Sequence, residues 1–173
     1  MNLLFIIFDI IKMQAYKRLQ QELKEINDNY NEEEFNIYAG PKDDENIFEW
    51  EVSIQGPEDS PYEGGTFHFE FFFPKDYPFK SPKIICQTPI FHPNFNQNKG
   101  AEVCCHTLDI KNNWDIRIKM IKLLKDIQSL LKSPNPDAAC DWGNQEAVKL
   151  YRNDKYLFEI TAKEWTEKYA MEN

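Results

Sequence analysis

The hydrophobic and polar positions divide the chain into a helical start, a central group of short strands and a helical end. Four apolar residues recur at helical spacing within residues 13–27: Ala15, Leu19, Leu23 and Ile26. Charged and amide side chains fill the positions between them. This pattern predicts an amphipathic helix that packs one face on the rest of the protein.

Four segments in the middle of the chain have strand character: residues 35–39, 47–54, 66–73 and 83–87. In the third segment, Phe67, Phe69 and Phe71 share one face, so His68 lies on the other face as a surface or packing residue. The proline-rich residues 74–83 interrupt the pairing before the fourth segment, where Cys86 is predicted to be a core residue.

The helical pattern returns in residues 117–132, whose apolar residues form a broad stripe, and residues 133–137 end it with two prolines. Residues 144–151 and 154–171 predict two further helices. Helix, four strands and then helices, without βαβ alternation, predict an α+β fold with a four-stranded antiparallel meander sheet.

Residues 1–12 form an apolar extension of unknown role ahead of a single domain at residues 13–173. The extension is shorter than the roughly 20 residues of a membrane span, and it contains Asp9. It also lacks the basic start and cleavage site of a signal peptide. It either extends the next helix, packs on the domain, or lies upstream of a natural start at Met13. A weak membrane or partner contact is a further alternative.

Composition and net charge indicate a single globular domain and disfavour nucleic-acid binding. A chain of 173 residues with 42% hydrophobic residues suits one globular domain. The net charge of −9 disfavours nucleic acid as a partner. Because neither a transmembrane span nor a clear signal peptide is evident, we expect the cytoplasm or the nucleus.

The cysteines are typical of a reducing compartment. A chain of this length does not need disulfides to fold, and it contains no CxxC pair. A metal site is a weaker alternative, because adjacent cysteines seldom both bind one ion. Its ligands would be Cys104, Cys105, His106 and Cys140. The sequence therefore predicts no metal.

Candidate chemistry lies in residues 92–108, which read HPNFNQNKGAEVCCHTL. A cysteine held at a loop can form a thioester, and a nearby amide can stabilise the oxyanion that forms when the thioester breaks. Cys104 or Cys105 would be the nucleophile and Asn94 the amide, although Asn94 could equally tie the loop together. His92 is interpreted as structural, since a His-Pro step shapes a turn.

Several motifs stand in the order typical of one family. They are KRLQQELKEI (17–26), YAGP (38–41), GPEDSPYEGGTF (56–67), FPKDYPFKSPK (73–83), FHPN (91–94), VC (103–104), Trp114, PNPD (134–137) and EWTEKYAM (164–171). Over residues 13–171 the chain resembles the ubiquitin-conjugating (E2) enzymes. The resemblance implies the UBC fold.

The resemblance also implies a thioester carrier. Ubiquitin would pass from an E1 enzyme to the cysteine, and then to a substrate lysine or to the cysteine of an E3. No cofactor is expected, because ATP is used by the E1 partner. The implied partners are ubiquitin or a ubiquitin-like protein, an E1, a RING or HECT E3 and protein substrates.

The family pattern favours Cys104 as the nucleophile, with Cys105 as the alternative. An apolar residue precedes the family's cysteine and a leucine follows four positions later, which fits Val103 and Leu108. The segment between Asn94 and the cysteine is two residues longer than is usual.

Other positions of interest follow from the same resemblance. Lys17 and Arg18 would face the E1, although isolated basic residues are more often solvated surface charges. Phe79 and Trp114 would face the E3. Ala138 stands where many members have a second acid. Either the acid that assists the incoming lysine is missing, which would slow transfer to free lysine, or Asp137 or Asp141 supplies it. Tyr38 disfavours ubiquitin binding on the back of the sheet.

Two alternative functions remain. The chain could be an E2 for a SUMO-like or NEDD8-like modifier, or a catalytically weak E2-like scaffold that binds ubiquitin or another E2. Scaffolds of that kind usually lack the cysteine and the C-terminal helices, and this chain has both. A papain-like protease is disfavoured, because His92 and Cys104 would have to pair within one short loop.

Overall fold

The computed structural model describes residues 3–29, 36–95, 100–103, 114–139 and 143–171. The strands are β1 (Ile37–Pro41), β2 (Glu49–Gln55), β3 (Thr66–Phe72), β4 (Lys83–Cys86) and β5 (Ala101–Glu102). The helices are α1 (Leu3–Asn29), α2 (Met120–Lys132), α3 (Gln145–Asn153) and α4 (Lys155–Tyr169), with a 3-10 turn at Pro136–Ala138. The predicted α+β order is confirmed.

The strands pair antiparallel with their sequence neighbours, in the order β1-β2-β3-β4-β5. The predicted meander is therefore present, and in the described part of the chain the sheet has a fifth strand. This strand covers only two residues, and Ala101 pairs with Cys86. A strand so short leaves no alternating pattern from which it could be predicted.

One face of the sheet forms the core with α2. The buried residues of the strands alternate with exposed ones, as in β2, where Trp50, Val52 and Ile54 are buried. The apolar stripe of α2 packs in the same cluster as these strand residues. On the opposite face, His68 is exposed and lies 2.9 Å from the Ser53 hydroxyl. Cys86 is buried, so both sequence predictions about these residues are confirmed.

The first helix begins at Leu3, so the apolar extension continues into the predicted amphipathic helix. The structure shows the helix extension, and a natural start at Met13 stays a prediction. The extension leaves Phe5, Ile7, Phe8 and Ile10 exposed. Within the described parts of the chain, no helix is both long and apolar enough to cross a membrane.

The helix predicted at residues 117–132 begins later, at Met120. The Asp115 carboxylate accepts the backbone N–H of Arg117, and Ile118 N–H bonds to the carbonyl of Asp115, so these residues form a turn instead. Lys119 supplies no side-chain cap to α2. The cap comes from α1, where the Glu22 carboxylate accepts the Met120 N–H at 2.9 Å.

Candidate active site

The His-Pro-Asn turn is held from inside the protein. His92 is fully buried, and its Nδ1 accepts the backbone N–H of Asn94 at 2.9 Å. The proton of the neutral ring therefore lies on Nε2, which donates to the Leu130 carbonyl at 3.0 Å. Burial lowers the pKa of His92 to about 3, so the ring is neutral near pH 7. This geometry supports a structural role for His92.

Protonation of His92 in the unfolded chain is expected to make the protein acid-sensitive. Its pKa is about 3 when folded and near 6.5 when unfolded, so the stabilisation is present above pH 6.5 and falls as pH drops towards 3. We expect the free energy of unfolding to fall by about 2 kcal/mol between pH 7.5 and pH 5 from this group. Urea unfolding at the two pH values measures the change.

The variant His92→Gln keeps a donor and an acceptor but does not titrate, so its loss of stability between these pH values should be smaller by that amount. His68→Gln is the matched control, because it makes the same replacement at an exposed histidine. Equal pH dependence in the two variants would contradict the role given to His92.

The Asn94 side chain links this turn to a segment 41 residues later. Asn94 is fully buried, its Nδ2 donates to the Asn135 carbonyl at 2.6 Å, and its Oδ1 accepts the Asn135 N–H at 2.9 Å. Paired bonds of this kind fix both the distance and the orientation of the two segments. The contacts support the loop-holding role that the sequence left open for Asn94.

Asn135, held by Asn94, in turn fixes the backbone at Asp137. Its side-chain oxygen accepts the backbone N–H groups of Asp137 and Ala138, each at 3.2 Å, and caps the 3-10 turn. Asp137 is 86% exposed, and its Oδ1 lies 2.6 Å from the Arg152 guanidinium on α3. The acid predicted to assist the lysine thus projects into solvent from a turn of fixed backbone.

Both candidate nucleophiles, Cys104 and Cys105, lie outside the described residues, as do His106, Leu108, Cys140 and Asp141. Val103, the residue before Cys104, is fixed to the sheet. It is buried, and its N–H donates to the Ile84 carbonyl at 2.9 Å. The candidate cysteines therefore follow directly from a chain anchored to β4.

Cys86 does not compete for the role of nucleophile. It is fully buried, and burial raises the pKa of its thiol to about 12, so almost no thiolate is present near pH 7. Among the described residues, no group of three or more histidine, cysteine or acidic side chains could hold a metal ion. The four ligands of the metal alternative, Cys104, Cys105, His106 and Cys140, lie outside the described residues.

Comparison with known proteins identifies the family of this fold. The sequence profile described as "Ubiquitin-conjugating enzyme" matches residues 18–166. The chain belongs to the ubiquitin-conjugating enzyme family. A crystal structure described as "a putative ubiquitin conjugating enzyme from Plasmodium yoelii" is 42% identical, with a TM-score of 0.78. The match covers 92% of this chain and 97% of that one. Enzymes of this family are E2 transferases, whose partners in general are ubiquitin, an E1 and an E3.

In this E2, the two residues predicted to contact an E3 differ in their exposure to solvent. Phe79 is 61% exposed. Trp114 is half-buried and donates from its indole nitrogen to the Pro78 carbonyl at 2.5 Å. It therefore supports the loop that presents Phe79. Ile116, two residues after Trp114, is 48% exposed.

The two residues predicted to contact the E1 have different surroundings. Lys17 is exposed. Arg18 is half-buried: its Nε donates to Glu22 at 2.7 Å and its Nη2 to the Ile118 carbonyl at 3.0 Å. Arg18 therefore helps to join α1 to the segment before α2. The described geometry leaves Lys17 as the more accessible cation for an E1, and both contacts remain predictions.

Sequence reasoning overlooked Glu22, Asn135 and Arg152. A signal for Glu22 was available, since it shares the buried stripe of α1 with Leu19 and Ile26. A carboxylate on such a stripe needs internal partners. The Asn-Pro-Asp order is a local signal for the cap that Asn135 supplies to the 3-10 turn. The bonds of Asn135 to Asn94 and of Arg152 to Asp137 join separate elements, so no local pattern indicates them.

Proposed function

We propose that this E2 accepts ubiquitin from an E1 as a thioester on Cys104 and transfers it to a lysine amine or to the cysteine of an E3. The observation that carries the proposal is the family match over residues 18–166, which includes the Val-Cys step at 103–104. The neighbouring Val103 is anchored to the sheet, and Cys86 is too deeply buried to react. A reducing compartment, the cytoplasm or the nucleus, would keep the thiol available.

The chemistry needs two acyl transfers. The Cys104 thiolate attacks the carbonyl carbon of the E1-ubiquitin thioester, a new C–S bond forms, and the E1 thiolate leaves. A deprotonated lysine amine then attacks the same carbonyl carbon. An amide bond forms, the nitrogen loses a proton and the Cys104 thiolate leaves. Each step passes through a tetrahedral intermediate with an oxyanion.

In this proposal the main role of Asn94 is to hold Asn135, which in turn fixes the turn that carries Asp137. A second role of the Asn94 amide is to donate a hydrogen bond to the oxyanion. Asp137 is the acid that receives the incoming lysine ammonium, because Ala138 offers no carboxylate. Desolvation lowers the pKa of the lysine amine. The Asp137 carboxylate then acts as the general base that accepts the lysine proton.

A charging assay tests the proposal. The protein is mixed with E1, ATP and ubiquitin, and the products are separated with and without thiol reagent. A ubiquitin adduct that disappears on reduction supports a thioester carrier. Charging only by a SUMO-like or NEDD8-like protein, each with its own E1, would change the modifier. No adduct with any modifier would leave the scaffold alternative.

Phe79 is expected to carry much of the binding energy for an E3, because exposed aromatic anchors are common hot spots of interfaces. With a RING or HECT E3 domain that stimulates the wild-type protein, Phe79→Ala should lower stimulated transfer about tenfold or more. Charging by E1 should be unchanged. Tyr156→Ala is the matched control, since Tyr156 is an exposed aromatic residue on α4. Equal losses in the two variants would exclude a specific role for Phe79.

A further inference from the structure

Arg152 is the one cation that the described structure places on Asp137. It lies in the last turn of α3, and its Nη2 is 2.6 Å from Asp137 Oδ1. The same nitrogen is 3.4 Å from the Pro136 carbonyl, so the guanidinium sits over the 3-10 turn. The two side chains are 51% and 86% exposed, which leaves the pair open to exchange with solvent and with other ions.

The residues around Asp137 fix its backbone but provide no second carboxylate within the 3-10 turn. Its backbone is fixed by Asn135, which Asn94 holds in turn. Ala138 follows, so within the 3-10 turn the carboxylate of Asp137 has no acidic neighbour. A lysine ammonium that approached this turn would meet a carboxylate already paired with a guanidinium.

We propose that Arg152 sets the apparent affinity of this E2 for the acceptor lysine by competing with the lysine ammonium for Asp137. This inference rests on the proposed function. The guanidinium and the ammonium carry the same charge and bind the same carboxylate. The guanidinium already on Oδ1 therefore weakens binding of the ammonium. Arg152 is therefore a specificity-determining residue that acts through Asp137.

The size of the effect follows from the exposure of the pair. Solvent-exposed ion pairs are weak, so losing the competitor should lower the KM for lysine by about two- to fivefold. The kcat should change little, because the competition affects binding before the thioester is attacked. The effect should shrink in high salt, because ions screen exposed charges.

The experiment uses the full chain charged with ubiquitin, with E1 then stopped by removal of ATP and magnesium. Single-turnover discharge onto free L-lysine is followed over a range of lysine concentrations. Arg152→Gln should show the lower KM, while Arg152→Lys, which keeps the charge, should stay close to the wild type. Lys149→Gln removes a cation from an exposed position on the same helix and should leave the KM unchanged.

A double variant shows whether the effect passes through Asp137. In the Asp137→Asn background, Arg152→Gln should no longer lower the KM for lysine. An unchanged or higher KM in Arg152→Gln, or the same decrease in the Asp137→Asn background, would overturn the inference. A lower kcat with unchanged KM would also overturn it and make Arg152 a purely structural tie. Failure to charge with E1 would instead contradict the proposed function, so the two failures are distinct.

Discussion

Cys104→Ser is expected to replace the reducible ubiquitin adduct by one that survives thiol reagents, because a serine hydroxyl forms an oxyester. Cys104→Ala should form no adduct, since alanine has no nucleophile. The loss is expected to be complete, because every later transfer depends on this one acyl intermediate. Both variants are compared with the wild type on gels with and without thiol reagent.

The adjacent cysteine supplies the matched control. Cys105→Ser changes the same atom one residue further along, and it should charge to the wild-type level with a reducible adduct. If Cys105→Ser instead loses the reducible adduct while Cys104→Ser keeps it, the nucleophile is Cys105 and the family alignment is shifted by one residue. Cys86→Ser is not a suitable control, because Cys86 is a core residue and its replacement would disturb folding.

Glu22→Ala is expected to lower the free energy of unfolding by about 3–5 kcal/mol, the range for breaking a buried ion pair from one side. Glu22 is only 3% exposed. Its carboxylate accepts from Arg18 Nε at 2.7 Å, from the Tyr77 hydroxyl at 3.2 Å and from Met120 N–H at 2.9 Å. Alanine would leave these donors in place without their acceptor. Urea unfolding near pH 7 measures the loss.

Glu25→Ala is the matched control, since Glu25 lies on the same helix and pairs with Lys119 at 2.6 Å in partial exposure to solvent. Its replacement should cost less than about 1 kcal/mol, because exposed ion pairs contribute little. Similar decreases in the free energy of unfolding of the two variants would show that the burial of Glu22 does not strengthen its contacts.

The features that the sequence predicts correctly depend on local periodicity. The stripe through Ala15, Leu19 and Ile26 predicts the buried face of α1, and the alternation in residues 66–73 predicts which side of β3 faces the core. These patterns arise because neighbouring turns or alternate residues share a face, so a short stretch of sequence contains the information.

The features that the sequence does not predict depend on contacts between residues that are far apart in the chain. Met120 is capped by Glu22, 98 residues earlier, so the start of α2 is set by tertiary packing. The Asn94–Asn135 bonds span 41 residues. The sequence suggested an amide near the nucleophile, but only the structure shows that this amide holds the turn of Asp137. The motif order did predict the family. Three of the motifs contain Glu22, Asn94 and Asn135, but none of them indicates which distant residue its side chain contacts.

Differential alkylation identifies which cysteine carries the ubiquitin thioester, because the thioester protects that thiol from the first label. The wild-type protein is charged with E1, ATP and ubiquitin, and every free cysteine is then alkylated under denaturing conditions. Hydroxylamine next cleaves the thioester, the released thiol receives a second alkylating label, and fragmentation mass spectrometry finds its position. We expect the second label at Cys104 and the first label at Cys86, Cys105 and Cys140. The second label at another cysteine, or at none, would contradict Cys104 as the thioester site.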